Sequence, residues 1–499
     1  MFDNLKKIAV LVAACGFFAT GEALAADLTD VLDAADEVYL GTEKVKDPFD
    51  IALTPKFVQR IEHAKLKREF TNGDGKTHLG NELVYERTIN EFDIGLEIGL
   101  YHDFSFRMNI PIIISDQSSY EFDTTASDPK NQISENGIDL GEKDINGNAI
   151  LNGKSTLAPA TTDDNRPYQF FSLTSGQTLK GAERAGLGDI SFGLAWSPYN
   201  TERHFIPERP WEDNTGRSTV TLAFDYVAPT GKVLGIDNKN VGSGAHELIF
   251  SVAASHRYAF VDPYIRLQYG LPIGLEEYYP TYNDNQKRND PGMWGRIDLG
   301  IEFVPYESID VKFQRAVKID LRGYFKYTAE GRQYSELSDA LGTSSCINAS
   351  ASYLSQHPEC AWVSSKWANA GADNLSAVAA GNYNGDYSED GLFDYEGYAT
   401  FGGSLNIMIQ PIQYVQIIAG VAADYTQNHF ITTTNTGVDR ISSDLNGTKT
   451  GPEKDGYVDP LLIEERNPTY SSGLDKSGQR IKKVENWNLE WFIGVRLMY

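Results

Sequence analysis

The feature that most constrains the fold of this chain is the alternation in residues 486–499, NWNLEWFIGVRLMY. Every second side chain is large and apolar, and most of those between them are small, polar or charged. A period of two predicts a β-strand with one apolar face, and the pattern holds to the last residue although chain ends are usually polar. We expect lipid on the apolar face and a water-filled lumen behind the polar one. The apolar set is Trp487, Leu489, Trp491, Ile493, Val495, Leu497 and Tyr499.

The terminal aromatic residue has a second implication. A strand that ends in this way resembles the C-terminal signal by which bacterial outer-membrane barrels are recognised for assembly. We therefore expect the barrel-assembly machinery to be a partner, and outer-membrane lipid and lipopolysaccharide to surround the chain. The residues expected to form the assembly signal are Trp491, Ile493, Val495, Leu497 and Tyr499.

The other end of the chain predicts export. Lys6 and Lys7 precede an apolar run, and Ala23 and Ala25 offer a cleavage site, which is the pattern of a secretory signal peptide. A lipoprotein site at Cys15 is the alternative, but the apolar run continues beyond it. No later stretch reaches the roughly 18 apolar residues of a transmembrane helix. The sequence predicts a signal peptide at 1–25, a periplasmic segment at 26–48 and a barrel at 49–499.

Within the segment 26–48, apolar residues recur at helical spacing. They predict a short amphipathic helix at the periplasmic mouth of the barrel, with a loosely ordered leader as the alternative. These residues are Leu28, Val31, Leu32, Ala35 and Val38.

The terminal alternation recurs along the chain and predicts about twelve strands, an even number of the kind found in bacterial barrels. An open sheet edge is prohibitive in lipid, so the sheet must close. The fold class expected is all-β, a single transmembrane antiparallel barrel with short periplasmic turns and long extracellular loops. The segment 197–217 is long for a periplasmic turn and predicts an extended hairpin. Short connections are expected near 101–103, 260–263, 304–309 and 410–413, and long ones near 116–185, 275–292, 330–393 and 431–484.

Composition narrows the possible partners. The net charge of −25 argues against nucleic acid, and we assign the excess acid to solvated loops. Loop sequences at 144–149 and 382–391 resemble calcium-binding loops, but in the first Gly147 stands at the fourth position instead of the sixth, and Ser155 stands where glutamate is required. We expect ordinary turns at both. We expect no cofactor and no metal.

Cys346 and Cys360 are the only cysteines after the expected signal peptide. Exported proteins meet an oxidising environment, so we expect these two thiols to form a disulfide in an outer loop.

Strand parity assigns a set of charged residues to the lumen. Acids and bases are roughly balanced, which leaves two interpretations open: a lumen closed by salt bridges, or a narrow polar pore whose walls orient a solute. The candidates are Arg87, Glu91, Asp93, Glu97, Arg107, Arg266, Arg296, Asp298, Glu302, Lys312, Lys318, Asp320, Arg322 and Lys326.

Four short motifs carry a resemblance to a known family. They are GLGD at 186–189, APTG at 228–231, VGSG at 241–244 and PYIRLQYGLP at 263–272. Their order resembles the outer-membrane transporters linked to phenol degradation (MetA-like). The resemblance implies passage of small, often aromatic or hydrophobic, compounds across the outer membrane, and it assigns no binding residue.

Two other functions stay open beside a channel for small solutes. The long outer loops, with Trp362 and Trp367, suggest a surface receptor or adhesin. A lipid hydrolase is a distant third, since it would need a serine beside a lipid-facing histidine. His256 faces lipid by parity, but the neighbouring outward positions are assigned to Val220, Leu222, Ile265 and Leu267. We therefore expect no enzyme activity.

Overall fold

In the computed structural model, the described residues lie between 37 and 498. The segments left out within these limits are 41–42, 47–50, 72–75, 102, 124, 126–137, 144–148, 153–178, 181–182, 201–217, 236–238, 280–287, 309–314, 338–390, 413, 433, 438–474, 476 and 479.

Twelve antiparallel strands form one closed barrel, which confirms the predicted fold class. Each strand pairs with the next in chain order, and the last pairs with the first, so the wall has no open edge. The strands are β1 (Ile51–Thr71), β2 (Thr77–Tyr101), β3 (Phe104–Phe122), β4 (Ile190–Asn200), β5 (Ser218–Ala228), β6 (Ala245–His256), β7 (Val261–Gly274), β8 (Trp294–Ser308), β9 (Arg315–Thr328), β10 (Tyr398–Ile412), β11 (Val415–Thr426) and β12 (Ile481–Met498).

In the described part of the chain, nine short strands lie outside this ring. Several extend wall strands at the end where the long connections lie, and two pairs form separate hairpins. They are Glu37–Leu40, Glu43–Lys46, Ile138–Lys143, Ala149–Asn152, Leu179–Lys180, Arg184–Leu187, Gly331–Tyr334, Leu392–Tyr395 and His429–Thr432.

The predicted periplasmic helix is wrong at its one described position. Val38 lies in the strand Glu37–Leu40, which pairs with Glu43–Lys46. A β-branched residue beside Tyr39 and Leu40 favours a strand, and hairpin hydrogen bonds outweigh helical spacing in so short a segment. Leu28, Val31, Leu32 and Ala35 lie outside the described residues.

The outward face of the barrel is apolar and bordered by two aromatic girdles. Aromatic side chains are exposed near the short turns, and a second set lies toward the long connections. Such a band matches the hydrocarbon layer of a bilayer. The first set is Trp196, Tyr199, Tyr258, Phe260, Tyr306 and Tyr414, and the second is Tyr269, Tyr327, Tyr425 and Trp487.

This surface confirms that the chain resides in the bacterial outer membrane. Trp491, Ile493, Val495 and Leu497 of β12 belong to the lipid-facing set, while Tyr499 lies outside the described residues. No helix among the described residues is long and apolar enough to span a membrane.

The wall is taller on its extracellular side than the sequence predicts. β3 extends to Phe122, and β12 begins at Ile481, within segments expected to be loop. In β2 the inward Leu83 and Tyr85 are apolar and fully buried, so the alternation that marks a membrane strand disappears there. The hairpin predicted at 197–217 lies mostly outside the described residues, and β4 ends at Asn200.

Candidate functional site: a charged lumen beneath an apolar cap

The inner face of the barrel carries many ion pairs, some of them joined in clusters. Every predicted lumen candidate except Lys312, which lies outside the described residues, is buried or half-buried on this face. Their role in lining a pore stays a prediction, but their partners are now defined.

The wall formed by β7, β8 and β9 has buried arginine clusters. Asp298 accepts hydrogen bonds from Arg266 Nε at 3.1 Å and Arg296 Nη2 at 2.6 Å. All three side chains are almost fully buried. One carboxylate therefore bridges two guanidinium groups in this cluster.

A second cluster continues across β9 to β10. Asp320 accepts hydrogen bonds from Tyr264 Oη at 2.9 Å and Asn406 Nδ2 at 2.9 Å, and it forms an ion pair with Arg322 at 3.4 Å. Arg322 Nε also donates to Tyr264 Oη at 3.0 Å. Buried ions are stable only with this degree of hydrogen bonding.

Toward the periplasm the pairs are more exposed. Lys318 Nζ lies 3.4 Å from Glu302, and Arg496 lies 3.1 Å from Glu97. Arg107 approaches Asp225 at 3.9 Å. Nearer the outer end, the Lys326 ammonium lies 4.5 Å from the centre of the Trp294 ring, a cation–π contact.

The opposite wall contains lumen residues that sequence reasoning missed. On β1, Lys56 pairs with Asp93 at 3.1 Å, and Arg60 bridges Glu91 at 2.6 Å and Glu490 at 2.7 Å. Glu62, also on β1, pairs with Lys483 of β12. The available signal was the alternation of Lys56, Arg60 and Glu62 with Phe57 and Ile61. The inward apolar Val58 and the outward polar Gln59 and His63 obscured it.

Above the charged network the lumen becomes apolar. A cluster of side chains, each at most 8% exposed, fills the barrel toward its extracellular end. We call this cluster the apolar cap. Its members are Ala64, Leu66, Leu83, Tyr85, Tyr120, Leu337, Phe393, Tyr395, Ile431 and Ile481.

The centre of the cap comes from one hairpin. The strands Gly331–Tyr334 and Leu392–Tyr395 continue the β9–β10 pair beyond a break in its ladder. At this break Gly331 lies against Gly292, and a Cβ on Gly331 would come within 2.0 Å of the Gly292 nitrogen. Glycine therefore permits the close approach where the hairpin leaves the wall. We call these two strands with residues 335–337 the cap hairpin.

The cap hairpin crosses the lumen. β3 stands six strands from β9, half-way round the ring, yet Tyr120 Oη of β3 donates to the Glu336 carbonyl at 2.6 Å. Arg87 of β2 bonds Asp116 at 2.7 Å and the Glu336 carboxylate at 2.6 Å. These contacts join the hairpin to the wall opposite its origin.

Both faces of the cap hairpin are buried. Phe393 and Tyr395 point toward the β1–β3 side of the cap, whereas Leu392 packs with Ala245 and Tyr279 on the other side. Arg332 and Asp394 of the two hairpin strands form a buried ion pair at 2.9 Å. The hairpin thus lies between two halves of the wall, as a septum.

A small cavity of about 30 Å³ remains beneath the cap. It has room for about one water molecule. Its lining is mainly charged and comprises Arg60, Glu62, Arg87, Ile89, Asp424, Asn488 and Glu490.

Three of the four motifs that carry the family resemblance, those at 186–189, 228–231 and 241–244, meet at the extracellular rim. The Asp189 carboxylate accepts hydrogen bonds from the backbone nitrogens of Gly231 at 2.9 Å and Ser243 at 2.8 Å. Gly242 contacts Gly231 so closely that a Cβ would collide with backbone. The glycines therefore serve loop packing, and membership of the MetA-like family stays a prediction.

The lipid-facing histidine has a partner that the sequence analysis assigned wrongly. Ser218, two residues before Val220 and on the same outward face, places Oγ 2.5 Å from His256 Nδ1. The expectation that no serine neighbours His256 is therefore wrong, because β5 begins one outward position earlier than predicted. Among the described residues, no carboxylate hydrogen-bonds the other ring nitrogen of His256.

Cys346 and Cys360 lie outside the described residues, and their disulfide stays a prediction. Trp362 and Trp367 lie in the same segment.

Comparison with known proteins gives only distant similarities. No family model and no curated protein matches the sequence. Among solved structures, an outer membrane channel from Pseudomonas putida F1 is 7% identical, with a TM-score of 0.33 over 89% of this chain and 95% of that one. A Pseudomonas aeruginosa FadL homologue is 7% identical, with a TM-score of 0.27 over 90% of each chain. The outer membrane protease OmpT from Escherichia coli is 7% identical, with a TM-score of 0.26 over 90% of this chain and 97% of that one. Likeness at this level carries no argument about activity.

Proposed function

We propose that this protein is an outer-membrane channel for small solutes, closed at its extracellular end by the cap hairpin. The observation that carries the proposal is the septum itself. A wall hairpin folds across the lumen above a polar, charged bore and contacts the opposite wall. A lumen that is polar on its periplasmic side and closed by one hairpin at the other end is typical of a gated channel.

The composition of the cap supports a class of solute. A hydrated ion would have to shed water to pass Phe393, Tyr395, Tyr85 and Tyr120, whereas an aromatic or hydrophobic molecule would replace contacts that these side chains make with one another. The charged network beneath would then orient any polar substituent. This preference agrees with what the MetA-like resemblance implies.

A single-channel recording of the purified full chain in a planar bilayer tests the proposal. We expect the wild-type protein to be mostly closed, with rare openings that become frequent when Phe393→Ala loosens the cap. A bilayer that stays silent for both proteins, with both correctly folded, would contradict a channel. A receptor or adhesin that acts through the outer loops would then be the better hypothesis.

We also propose that the protein is not an enzyme. The proposal is supported by the Ser218–His256 contact, in which the described part of the chain places no carboxylate on the second ring nitrogen of the histidine.

A further inference from the structure

A row of cationic side chains lies directly above the extracellular aromatic girdle on β1 and β12. Trp487 stacks on His63 with ring centroids 5.2 Å apart, and both lie on the outward face. Above them on the outward face, toward the cell exterior, lie Lys65 and Lys67 on β1, and Val484 and Lys482 on β12. This height corresponds to the headgroup layer just outside the hydrocarbon of the outer leaflet.

Two of these lysines face one another without a compensating acid. Lys67 and Lys482 are directly opposite in the β1–β12 register, an arrangement of like charges that destabilises a sheet. Among the described residues, neither lysine has a carboxylate within ion-pair distance. Their neighbour Lys65 differs, since it pairs with Glu485 at 3.2 Å.

An aromatic ring and a fixed arginine complete the row. Phe430 lies between two cations, with Arg480 Cζ 3.9 Å and Lys482 Nζ 4.8 Å from its centre. Glu69 accepts two hydrogen bonds from Arg480, at 2.9 and 3.0 Å, so the arginine is held in place. Glu69 and Glu396 pair with Arg480, and Glu485 pairs with Lys65, whereas no described carboxylate lies within ion-pair distance of Lys67 or Lys482.

We propose that Lys67 and Lys482 bind a phosphate group of lipopolysaccharide, with Phe430 packing beside its sugar or acyl region. An anion between two ammonium groups would remove their repulsion and form charge-assisted hydrogen bonds. Lipopolysaccharide is the phosphorylated lipid of the outer leaflet, and the lysines lie at the height of its phosphates. This inference is independent of the proposed channel.

The test is the binding of lipid A to the purified full-length barrel in detergent, measured by native mass spectrometry. We expect the double variant Lys67→Gln/Lys482→Gln to weaken binding by about tenfold or more. The matched control is Lys232→Gln/Lys239→Gln, which removes the same charge from an extracellular loop and should bind as the wild type does. Lipid A without phosphates should bind the wild type no better than intact lipid A binds the double variant.

Removal of two facing like charges should not unfold the barrel, and a heat-modified band on gels checks this. Lys67→Arg/Lys482→Arg should restore binding. Unchanged affinity in the glutamine double variant would overturn the proposal. Displacement of lipid A by submillimolar inorganic phosphate would also overturn it, because the site would then take free phosphate instead of lipid.

Discussion

The two layers of the lumen differ in how they fill the same bore. In the charged layer, side chains such as Arg60 and Asp298 stay near their own wall and pair with residues of the same or an adjacent strand. In the apolar cap, Phe393 and Leu337 on the cap hairpin meet Leu83 and Tyr120 of the opposite wall. The charged layer coats the wall, whereas the cap spans the lumen.

The difference indicates which layer blocks passage. A charged layer can hold water and counter-ions, and moving a solute through it exchanges one polar contact for another. A packed apolar layer holds no water, so an ion that enters it loses its hydration without compensation. We therefore assign the barrier to the cap and the orientation of the solute to the charged wall. Four predictions test this division.

The largest effect is expected from Phe393→Ala. Removing a buried phenyl group costs about 3–5 kcal/mol. If that ring is packed only in the closed form, the open fraction should rise by more than about a hundredfold, at 1.4 kcal/mol for each factor of ten. Single-channel open probability in a planar bilayer measures this.

The control for this variant is Phe401→Ala. Phe401 lies in β10, the wall strand that follows the hairpin strand Leu392–Tyr395, and its ring faces lipid. This control should leave open probability unchanged. Equal open probability in Phe393→Ala and wild type would place the barrier elsewhere in the lumen.

Substitutions in the charged layer should change the free energy of unfolding more than they change conductance. Arg322→Glu sets a new carboxylate beside Asp320 and removes the guanidinium that donates to Tyr264, a change that should cost about 3–5 kcal/mol of unfolding free energy. Lys318→Glu, at a more exposed pair, should cost less and shift ion selectivity toward cations. Denaturant unfolding in micelles and reversal potentials measure the two effects. A shift of ion selectivity in Arg322→Glu without loss of stability would indicate that water surrounds this side chain in the charged layer.

The predicted Cys346–Cys360 disulfide lies between the two arms of the cap hairpin along the chain. A closed loop of this size contributes roughly 3 kcal/mol by restricting the unfolded chain. We expect no free thiol in unreduced protein by mass spectrometry, and a modest rise in open probability after reduction. Two free thiols in protein from native membranes would contradict the pairing.

The smallest effect is expected at the lipid-facing pair. Ser218→Ala removes the hydroxyl that contacts His256, yet neither lumen layer nor any lipid chemistry should depend on it. Lysophospholipid content of the membrane and open probability should both match those of the wild type. Lipid hydrolysis that disappears in Ser218→Ala would show that the pair is catalytic.

Much of the barrel was predictable from the sequence because its determinants are local. Strand parity follows from a two-residue repeat, and lipid selects apolar side chains on every outward position, as at Ile493 and Leu497. The same parity assigned Arg266, Asp298 and Arg322 to the inner side. It failed on β1 and on the upper part of β2, where Val58, Leu83 and Tyr85 are apolar but point inward.

The sequence alone therefore determined the number of strands, the residues of the outward face and the charge of most inward-facing side chains. Only the tertiary structure decided which inner residues meet. Arg87 and Glu336, or Tyr120 and Phe393, are hundreds of residues apart, and no periodicity relates them. Their contact depends on the closure of twelve strands and on a hairpin that leaves the wall at Gly331. Closure fixes the distances across the lumen, and those distances determine where charge can be paired and where apolar side chains must fill the bore.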